Sequence, residues 1–599
     1  MRLLPSFLSL VSSVSLAATP APAPAPKGAQ ETKISVQPSQ ASADTRVKFL
    51  EAMVTELDRN QTQLKQSGHE APYFISYQIK DYENLQLDAR YGAIFDDNHT
   101  RDRKIYADVR VGSYDFDNSM DEGMDFSFST KGQSFIPKKD APLDDDPMAL
   151  RTALWLVTDD RYKTAVYNYL KKKGENVYAV DDPNKLPSFS KESPTTFVQP
   201  PLKFTFDRER WTKLAREMSG QMKEHVEFFD SNVRVTAEKQ TRYFVSTEGS
   251  RLVTEELMYG FHMTVLTRSE DGQLMENSRD FYAPTEARMP SDAKLRQSMD
   301  EMIRELLELR QAPQIDPYTG PAILAPVAAG TLFHEAVGHR LEGERQDNST
   351  EGKTFKGQLG KLMLPTFLSV VDDPTLREVD GLAINGYYLY DEEGVPAQKT
   401  VLVQDGVLKN FLVSRHPIEG YLKSNGHGRS QGNRQPVARM ANLVVESKRS
   451  VSDEQLKKML IDEAKKQGKP YGLLIKDITG GNTNTSSYGY QAFKGMPRMV
   501  YRVDVNTGKE TLVRGVEIVG TPLSAMNKIL ATGPKPGVFN GFCGAESGYV
   551  PVSTVAPATL LQEIELQRVM EGKDRTPILP APAIEAQKAK AAAEKAQTK

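Results

Sequence analysis

One segment of this chain places two histidines around a glutamate within mostly apolar sequence: Thr331-Leu-Phe-His334-Glu335-Ala-Val-Gly338-His339. Neutral imidazole is the commonest metal ligand among side chains, and a neighbouring carboxylate can take a proton from metal-bound water. The histidines are five residues apart, so a regular α-helix would set them about 140° apart around its axis, too far to share an ion. The segment therefore predicts either a widened π turn or a helix that ends there, with Gly338 most able to accept the distortion.

The single cysteine of the chain, Cys543, strengthens the case for a metal site. It lies in the glycine-rich stretch 538–548, which predicts a turn before the strand-like run that follows. Two imidazoles and one thiolate would leave a tetrahedral zinc ion with an open fourth position, as catalytic zinc requires. Because the ion lowers the pKa of water bound there, Glu335 could take the proton of that water as it attacks a carbonyl group.

Simpler explanations compete with this one. Most His-Glu pairs in amphipathic helices are solvated charges or partly buried core histidines, and a lone free cysteine is more commonly a small buried hydrophobic residue. Further carboxylates could complete an all-carboxylate or mixed site, although the first two groups are predicted to be turn residues and solvated charges: Asp372-Asp373, Asp391-Glu392-Glu393 and Glu342. His416 and His427 lie in loops and either line the cleft or sit on the surface. The remaining histidines are predicted to be surface or core residues: His69, His99, His225 and His262.

The first 18 residues predict a secretory signal peptide. One positive charge, Arg2, precedes a short apolar run that closes on a small-x-small site at Ala17. The run is too short to span a bilayer and no second segment is apolar for long enough, so we expect an exported, periplasmic or secreted protein without stable membrane insertion. A single cysteine in an exported chain cannot form an internal disulfide, so it is a buried inert residue, part of an intermolecular bridge or a metal ligand.

The composition is that of a soluble globular protein with several domains. Of 599 residues, 39% are apolar and 26% are charged. The formal net charge of −3 offers no basic surface for nucleic acid, so we expect no nucleic-acid partner.

Composition and periodicity predict an α+β fold with two domains. Residues 19–43, rich in proline and alanine, predict a disordered linker, and residues 577–599 predict a low-complexity tail. Residues 44–311 predict an α/β N-terminal domain. Residues 312–576 predict a β-rich C-terminal domain that carries the metal-binding helix.

Apolar spacing predicts the elements of both domains. Helices are expected after Asp44-Thr45, at 147–173, at 208–218 and at 291–311, and within 322–342. Strands are expected from Tyr73, Leu85 and Ile105, at 233–237, 241–246 and 251–266, in a sheet with one solvated face, and as an apolar run at 365–372. Hairpins are expected at 401–411 around Asp405-Gly406 and at 500–519 around 506–508, a turn at Gly480 after the run 473–477, and a long loop over the Asp-rich stretch 115–146.

Further motifs follow the histidine segment in order. They are Leu341-Glu-Gly343, Phe355-Lys-Gly-Gln-Leu-Gly360, Asp391-Glu-Glu-Gly394 with Pro396, Asp405-Gly-Val-Leu-Lys409, Gly426-His-Gly-Arg429, Pro436-Val-Ala-Arg439-Met440-Ala-Asn442, Gly480-Gly481, Cys543-Gly544 and Val550-Pro-Val552. With His334-Glu-Ala-Val-Gly-His339 they resemble the TldD/PmbA family of zinc metallopeptidases, in its TldD-like, metal-bearing branch. The resemblance covers nearly all of residues 320–560, and the N-terminal half is similar only in its helix-then-strands layout.

The resemblance implies roles for individual residues. His334, His339 and Cys543 would bind the metal and Glu335 would be the catalytic base, while His427, Arg429, Arg439 and Asn442 are candidate substrate-binding residues. It also implies an α/β domain followed by a β-rich domain, and substrates that are small or unfolded peptides, entering an enclosed cleft as an extended strand. Subunits would pair, as a homodimer or as a heterodimer with a related subunit.

The chain also differs from this pattern. Family members are usually cytoplasmic, whereas this chain carries a predicted export signal, an enlarged N-terminal half and low-complexity ends. The sequence therefore predicts an exported zinc metallopeptidase with a metal-activated water and a glutamate base. Two alternatives remain: a non-catalytic binding or scaffold protein with a structural metal, and a hydrolase of a non-protein amide such as a cell-wall peptide.

Overall fold

A computed structural model describes residues 44–119, 138–176, 186–348, 353–483, 493–520, 525–569 and a few single positions after 578. The predicted signal peptide and linker, nearly all of the predicted tail and the middle of the Asp-rich stretch lie outside the described residues. None of the helices within the described ranges is both long enough and apolar enough to cross a bilayer.

The first half is built on a six-stranded sheet in the order β2-β1-β4-β5-β3, with β6 also paired to β5. Its strands are β1 Pro72–Arg90, β2 Ala93–Val111, β3 Thr196–Val198, β4 Phe228–Ser246, β5 Arg251–Arg268 and β6 Leu274–Ala283. All neighbours are antiparallel except β3 and β5. Tyr91 and Gly92 join β1 to β2 with φ of 48° and 76°, the positive values that tight hairpin turns require.

Four helices of this half pack apolar side chains against the sheet: α1 Thr45–Gln63, α2 Pro147–Asn176, α3 Arg208–Gly220 and α4 Asp292–Gln311. The helix α4 begins at a Ser291 cap, whose hydroxyl accepts from the Lys294 N–H, and it buries Leu295, Met302 and Leu306 at helical spacing. These four predicted helices are confirmed, with ends within a few residues of those expected.

The long strands correct the predicted short ones. The runs from Tyr73 and from Leu85 belong to one 19-residue strand, and 233–237 and 241–246 are both parts of β4. Charged residues interrupt the apolar alternation in the middle of these strands, but they are buried as pairs, such as Arg103 Nε with Asp81 Oδ2 at 2.7 Å. Burial in pairs lets a strand continue through polar sequence.

The second half contains a 13-stranded sheet among the described residues, centred on β23. Its strands are β7 Tyr318–Leu324, β8 Leu368–Asp372, β11 Thr400–Gln404, β12 Val407–Leu408, β15 Asn442–Ser447, β16 Tyr471–Ile475, β17 Ile478–Thr483, β18 Phe493–Pro497, β19 Val500–Asp504, β20 Glu510–Val513, β21 Val516–Gly520, β22 Ile529–Ala545 and β23 Gly548–Arg568. Two small ribbons pair β9 Glu378–Val379 with β10 Leu382–Ala383, and β13 Gly428–Arg429 with β14 Val437–Ala438.

Two helices flank this sheet, α5 Pro326–Phe333 and α6 Asp453–Lys466. The helix α5 packs closely on β23, because a Cβ atom at Gly330 would lie 3.2 Å from the carbonyl oxygen of Thr554. Its residues Ala328, Ala329, Leu332 and Phe333 join the largest buried apolar cluster, to which Cys543 also belongs.

Several predictions for this half are confirmed and others are wrong. The hairpin at Asp405-Gly406 is present, with φ of 50° and 77°, and so is the hairpin around 506–508. The predicted turn at Gly480 lies inside β17 instead, and the predicted helical range 322–342 begins with the end of β7.

Contacts between residues divide the chain at Asp44 and place residues 45–599 in one unit. The mixture of helices and sheets confirms the predicted α+β class, with the two sheets on either side of residue 311. The domain boundary at 311 stays a prediction.

Candidate metal centre

The helix α5 ends in the widened turn that the histidine spacing predicts. Residues His334–Gly338 form a π turn, in which the His339 N–H donates to the carbonyl of His334, and a short 3-10 turn follows over His339–Leu341. A π turn adds a residue to the helical loop, so it can bring side chains five apart towards one side. The two imidazole rings accordingly lie 5.0 Å apart between centroids, with an interplanar angle of 85°.

Gly338 serves this turn by its size and not by its conformational freedom. Its φ of −54° and ψ of −59° are ordinary right-handed helical values, so the expectation that glycine absorbs the backbone distortion is wrong. A Cβ atom at Gly338 would lie 1.8 Å from Sδ of Met440, a residue that is almost fully buried. The π turn therefore requires a residue without a side chain at its contact with Met440.

Cys543 reaches the two histidines from β22. It lies in a regular antiparallel pair opposite Val550. The predicted turn lies at Glu546 and Ser547, between β22 and β23, so only the expectation that Cys543 itself lies in the turn is wrong. Its Sγ is 3.2 Å from Nε2 of His334 and 3.3 Å from Nε2 of His339, and all three residues are buried. Side chains more than 200 positions apart in the sequence thus present three potential ligand atoms within 4.8 Å of one another.

The donor set fits a zinc ion. Zinc binds imidazole nitrogen at about 2.0–2.1 Å and thiolate sulfur at about 2.3 Å, so nitrogen and sulfur ligands of a tetrahedral ion lie about 3.5 Å apart. The two nitrogen–sulfur distances are close to that value. The other ring nitrogen of His339, Nδ1, lies 3.1 Å from Oε2 of Glu342, an arrangement in which a carboxylate orients a metal-binding histidine.

The surroundings of Cys543 favour its ionised form, which is the form that binds metals. Burial opposes the thiolate form of Cys543, but the imidazoles of His339 and His334 outweigh it and lower the pKa of the thiol well below its usual range. Burial opposes the imidazolium form of His339, yet Cys543 and Glu342 raise its pKa to about 10. Because a metal takes thiolate and neutral imidazole as ligands, its binding here would release a proton from this pair.

Glu342 is the functional residue that the sequence assigned least well. The sequence leaves it as a possible ligand, whereas its carboxylate binds His339 and the guanidinium of Arg345, at 2.8 Å from Arg345 Nε. Burial would raise the pKa of Glu342, but His339 and Arg345 lower it below its usual range. Its position three residues after His339 is the only sequence signal for this role.

Glu335 lies inside the π turn directly after His334 and is largely buried. Nη1 of Arg340 donates to its backbone carbonyl at 2.8 Å, which fixes the turn around it. Burial lowers the pKa of Arg340 to about 10, although the charge of Glu335 opposes this shift.

Two of the predicted substrate-binding residues, His427 and Asn442, are buried and hydrogen-bonded to other residues of the chain. His427 is fully buried, with Nε2 3.2 Å from Oδ1 of Asp372 and Nδ1 3.0 Å from the carbonyl oxygen of Asn425. Asn442 is equally buried, and its amide donates to the carbonyl of Asp373 at 3.0 Å. A role for either in substrate binding stays a prediction.

The other two predicted substrate-binding residues, Arg429 and Arg439, have different surroundings. Arg429 donates to the carbonyl of Met440 at 2.5 Å, stacks 5.0 Å from the ring centre of Tyr388, and lines a cavity. Arg439 is fully buried and donates to the carbonyl of Cys543 at 2.6 Å, so it lies beside the metal centre.

The acidic groups predicted to be solvated are buried. Asp372, Asp373, Asp391 and Glu392 are at most 9% exposed. Asp391 does hold a turn, because its carboxylate accepts from the N–H groups of Val395 and Gly428 at 2.9 Å each. Burial nevertheless raises its pKa to about 6.

The histidines of the first half are exposed or half-buried, as expected. His99 lies 3.0 Å from a carboxylate oxygen of Glu83, and His262 lies 2.8 Å from Asp280.

A cavity of about 450 Å³ lies between the two sheets. Its lining includes Glu238 and Glu256 of the first sheet and Phe542 and Tyr549 of the β22–β23 hairpin, but neither the three ligands nor Glu335. Phe542 and Cys543 are consecutive in a strand, so their side chains point to opposite faces. The hairpin therefore separates this cavity from the metal ligands.

The fold and the site together define an α+β protein with a buried His-His-Cys cluster at a π turn, which could hold a metal ion. Comparison with known families assigns the second half more closely: residues 317–568 match the PmbA/TldA metallopeptidase C-terminal domain. Residues 317–568 therefore contain a C-terminal domain like that of the TldD/PmbA family, as the resemblance implied.

Several relatives carry names that describe a metal-dependent protease. The chain is 31% identical to a "Metalloprotease" of Archaeoglobus fulgidus over 44% of this chain and 57% of that protein. It is 29% identical to a "Metalloprotease TldD homolog" of Haemophilus influenzae, over 44% of this chain and 51% of that protein. It is 27% identical to a "Zinc metalloprotease TldD homolog" of Saccharolobus solfataricus, over 41% of this chain and 51% of that protein. The chain thus spans about half the length of the curated relatives it matches.

Solved structures extend the similarity of fold to most of the chain. TldE from Thermococcus kodakarensis aligns with a TM-score of 0.57 and 13% identity, over 86% of this chain and all of that one. A putative modulator of DNA gyrase from Thermotoga maritima aligns with a TM-score of 0.55 and 16% identity, over 86% and 99%. At such identities the likeness concerns the fold alone.

Proposed function

We propose that this protein is a zinc-dependent metallopeptidase that hydrolyses peptide bonds of small or unfolded polypeptides. The observation that carries the proposal is the convergence of His334 Nε2, His339 Nε2 and Cys543 Sγ from two distant parts of the chain. The names of the relatives support the peptidase class, and similarity to a relative named a zinc metalloprotease supports the metal.

The residues of the centre have distinct parts in this reaction. A bound zinc ion would polarise the scissile carbonyl and acidify the attacking water. Glu342 accepts a hydrogen bond from the Nδ1–H of His339 and so leaves Nε2 free as a ligand atom. Glu335 takes one proton from the water on a carboxylate oxygen while the water oxygen adds to the carbonyl carbon. The same carboxyl returns the proton to the amine nitrogen as the C–N bond breaks.

One observation favours the alternative of a structural metal. His334, His339 and Cys543 are all at most 9% exposed, and structural zinc sites are closed to solvent. In that case the chain would bind zinc as firmly but hydrolyse nothing.

Replacing Glu335 by glutamine tests the proposed reaction. We expect Glu335→Gln to keep its zinc content and to lose about 10²- to 10⁴-fold in peptide turnover, the usual contribution of a general base. An unfolded casein fragment is a suitable substrate, with zinc measured by elemental analysis. The exposed Glu446→Gln provides a matched control that should keep full activity.

The outcomes separate the candidate functions. Full turnover in Glu335→Gln, or wild-type protein without zinc, would contradict the proposal. Zinc without turnover of any peptide would favour the structural metal, and turnover of peptidoglycan stem peptides but not of casein fragments would favour a non-protein amide.

We also propose export and subunit pairing, both motivated by the sequence. The apolar run of the first 18 residues supports export, and the family resemblance supports a homodimer or a heterodimer with a related subunit. Cell fractionation of the full chain beside a version lacking residues 2–18 tests export. Equal cytoplasmic retention of both would contradict it.

A further inference from the structure

Arg439 connects the two parts of the candidate metal centre. Its Nε lies 3.3 Å from Oε1 of Glu342, and its Nη2 donates to the backbone carbonyl of Cys543 at 2.6 Å. Glu342 uses its other oxygen, Oε2, to hold Nδ1 of His339 at 3.1 Å. One buried guanidinium thus contacts both the residue that orients a histidine ligand and the backbone of the cysteine ligand.

The same side chain also fixes the end of the β22–β23 hairpin. Nη1 of Arg439 donates to Oγ of Ser547 at 2.9 Å and to the carbonyl of Gly548 at 3.1 Å. Ser547 is buried, and Gly548 begins β23 directly after the turn. The hairpin that carries Cys543 is therefore held at two points, at its cysteine and at its tip.

These contacts use the shape of the guanidinium as well as its charge. Arginine presents several N–H donors in a rigid plane, whereas the ammonium of lysine is a compact point charge on a flexible stem. A lysine at this position would keep the positive charge beside Glu342. It could not hold Glu342, Cys543 and Ser547 simultaneously in one plane.

We propose that Arg439 is a positioning residue of the metal centre, which sets the place of Cys543 relative to the His339–Glu342 pair. This inference rests on the proposed metal site and gives Arg439 a role other than substrate binding. The planar geometry of its contacts, in addition to its charge, then contributes to metal affinity. Residues that orient metal ligands typically contribute 10- to 100-fold to affinity.

A second fully buried arginine provides a matched control. Arg415 donates through Nη2 to the carbonyl of Ser190 and to Glu248 Oε1 at 2.7 Å. It therefore also bridges a carbonyl and a carboxylate, but within the described residues it contacts none of the three ligands. Lysine at either position removes a buried planar group, so a general loss of stability affects both variants.

The test compares Arg439→Lys and Arg415→Lys in the full chain by three readouts. These are zinc affinity from competition with a chelator, the thiolate-to-metal charge-transfer band of the cobalt-substituted protein, and thermal midpoints with and without metal. We expect Arg439→Lys to bind zinc about 10- to 100-fold more weakly, with an altered cobalt band and a smaller gain in thermal midpoint from metal. Arg415→Lys should melt earlier in both states and keep the affinity and the cobalt band of the wild type.

Each outcome decides the question. Wild-type zinc affinity and an unchanged cobalt band in Arg439→Lys would overturn the inference, and so would an equal loss of affinity in Arg415→Lys. If Arg439→Lys does not fold, Ser547→Ala, which removes one contact of Arg439, decides in its place: several-fold weaker zinc binding supports the inference and wild-type affinity overturns it. Wild-type protein that binds no zinc would instead refute the proposed function.

Discussion

Glu342 illustrates, at the scale of single residues, how a side chain can serve a metal centre without supplying a ligand atom. Its carboxylate orients His339 and receives Arg345 and Arg439. A carboxylate that is hydrogen-bonded to the second ring nitrogen of a metal-binding histidine often has such an orienting role in proteins. Sequence alone could not separate this role from direct ligation, because the choice depends on which oxygen faces which ring nitrogen.

Gly338 supports a prediction about packing. Because a Cβ atom there would overlap Sδ of Met440, Gly338→Ala should lower the free energy of unfolding by about 1–3 kcal/mol, the usual cost of overpacking. Urea denaturation measures this loss. In a Met440→Ala background the same alanine should cost less, since the overlapping atom is gone.

Gly174 supplies the control for that experiment. It lies within α2 with no atom near the place of a new Cβ, so Gly174→Ala should be neutral or stabilising by up to about 1 kcal/mol. Equal effects of the two alanines, or additive effects of Gly338→Ala and Met440→Ala, would show that the contact with Met440 does not restrict position 338.

At the scale of elements, the β22–β23 hairpin shows that a glycine-rich stretch can lie in a strand as well as in a turn. A Cβ atom at Gly544 would lie 2.7 Å from the ring of Tyr549, and one at Gly541 would lie 3.2 Å from the ring of Phe539. These glycines make room for aromatic neighbours inside a strand. Composition indicates that small residues are needed, but only the cross-strand pairing shows for what.

The π turn was more predictable than the hairpin, because it follows from the spacing of the two histidines. Two ligands five residues apart cannot share an ion on a regular helix, so a distortion between His334 and His339 was required if both bind. What spacing could not supply is the position of Cys543, which depends on how a hairpin more than 200 residues later packs on α5.

Metal removal should therefore loosen two distant elements together. We expect a chelator to increase hydrogen exchange in peptides covering 334–341 and 540–550, because the bound ion stabilises only the state in which both are in place. Mass spectrometry of the exchanged protein measures this. Peptides from β4, which contains none of the three ligands, serve as the internal control.

A uniform rise in exchange across β4 and the hairpin would contradict this expectation, and so would an unchanged hairpin. The first result would mean that the metal stabilises the whole fold without local preference. The second would mean that no metal joins the hairpin to the π turn.

At the scale of the whole molecule, the polar face of the first sheet is an internal surface. The sequence predicts that one face of this sheet is solvated, whereas Lys80 on β1 is buried, donates to the carbonyl of Ser430 and lies 3.5 Å from Glu392 of the second half. Burial lowers the pKa of Lys80 to about 8. Alternation along a strand identifies a polar face but does not say whether water or another part of the chain covers it.

Glu238, which lines the cavity between the sheets, gives this surface a measurable pH dependence. Burial, reinforced by the charge of Glu256, raises its pKa from the ordinary 4.5 to about 7. The folded state thus binds the proton more tightly than the unfolded state, so the contribution of Glu238 to stability is fully present below pH 4.5 and is lost as the pH rises through 7. Glu238→Gln should gain stability relative to the wild type between pH 5 and pH 8.

Urea denaturation of Glu238→Gln and of the wild type at pH 5 and at pH 8 measures this difference, with the exposed Glu446→Gln as the control. A difference between Glu238→Gln and the wild type that does not change with pH would contradict the raised pKa. An equal gain in stability between pH 5 and pH 8 in Glu446→Gln would show that the effect is not specific to the cavity.

The central claim is that His334, His339 and Cys543 bind one zinc ion, and X-ray absorption at the zinc edge tests it most directly. The purified wild-type protein should show one sulfur at about 2.3 Å and nitrogen or oxygen ligands at about 2.0–2.1 Å. Cys543→Ser should lose the sulfur contribution. A zinc environment without sulfur in the wild-type protein would contradict the account.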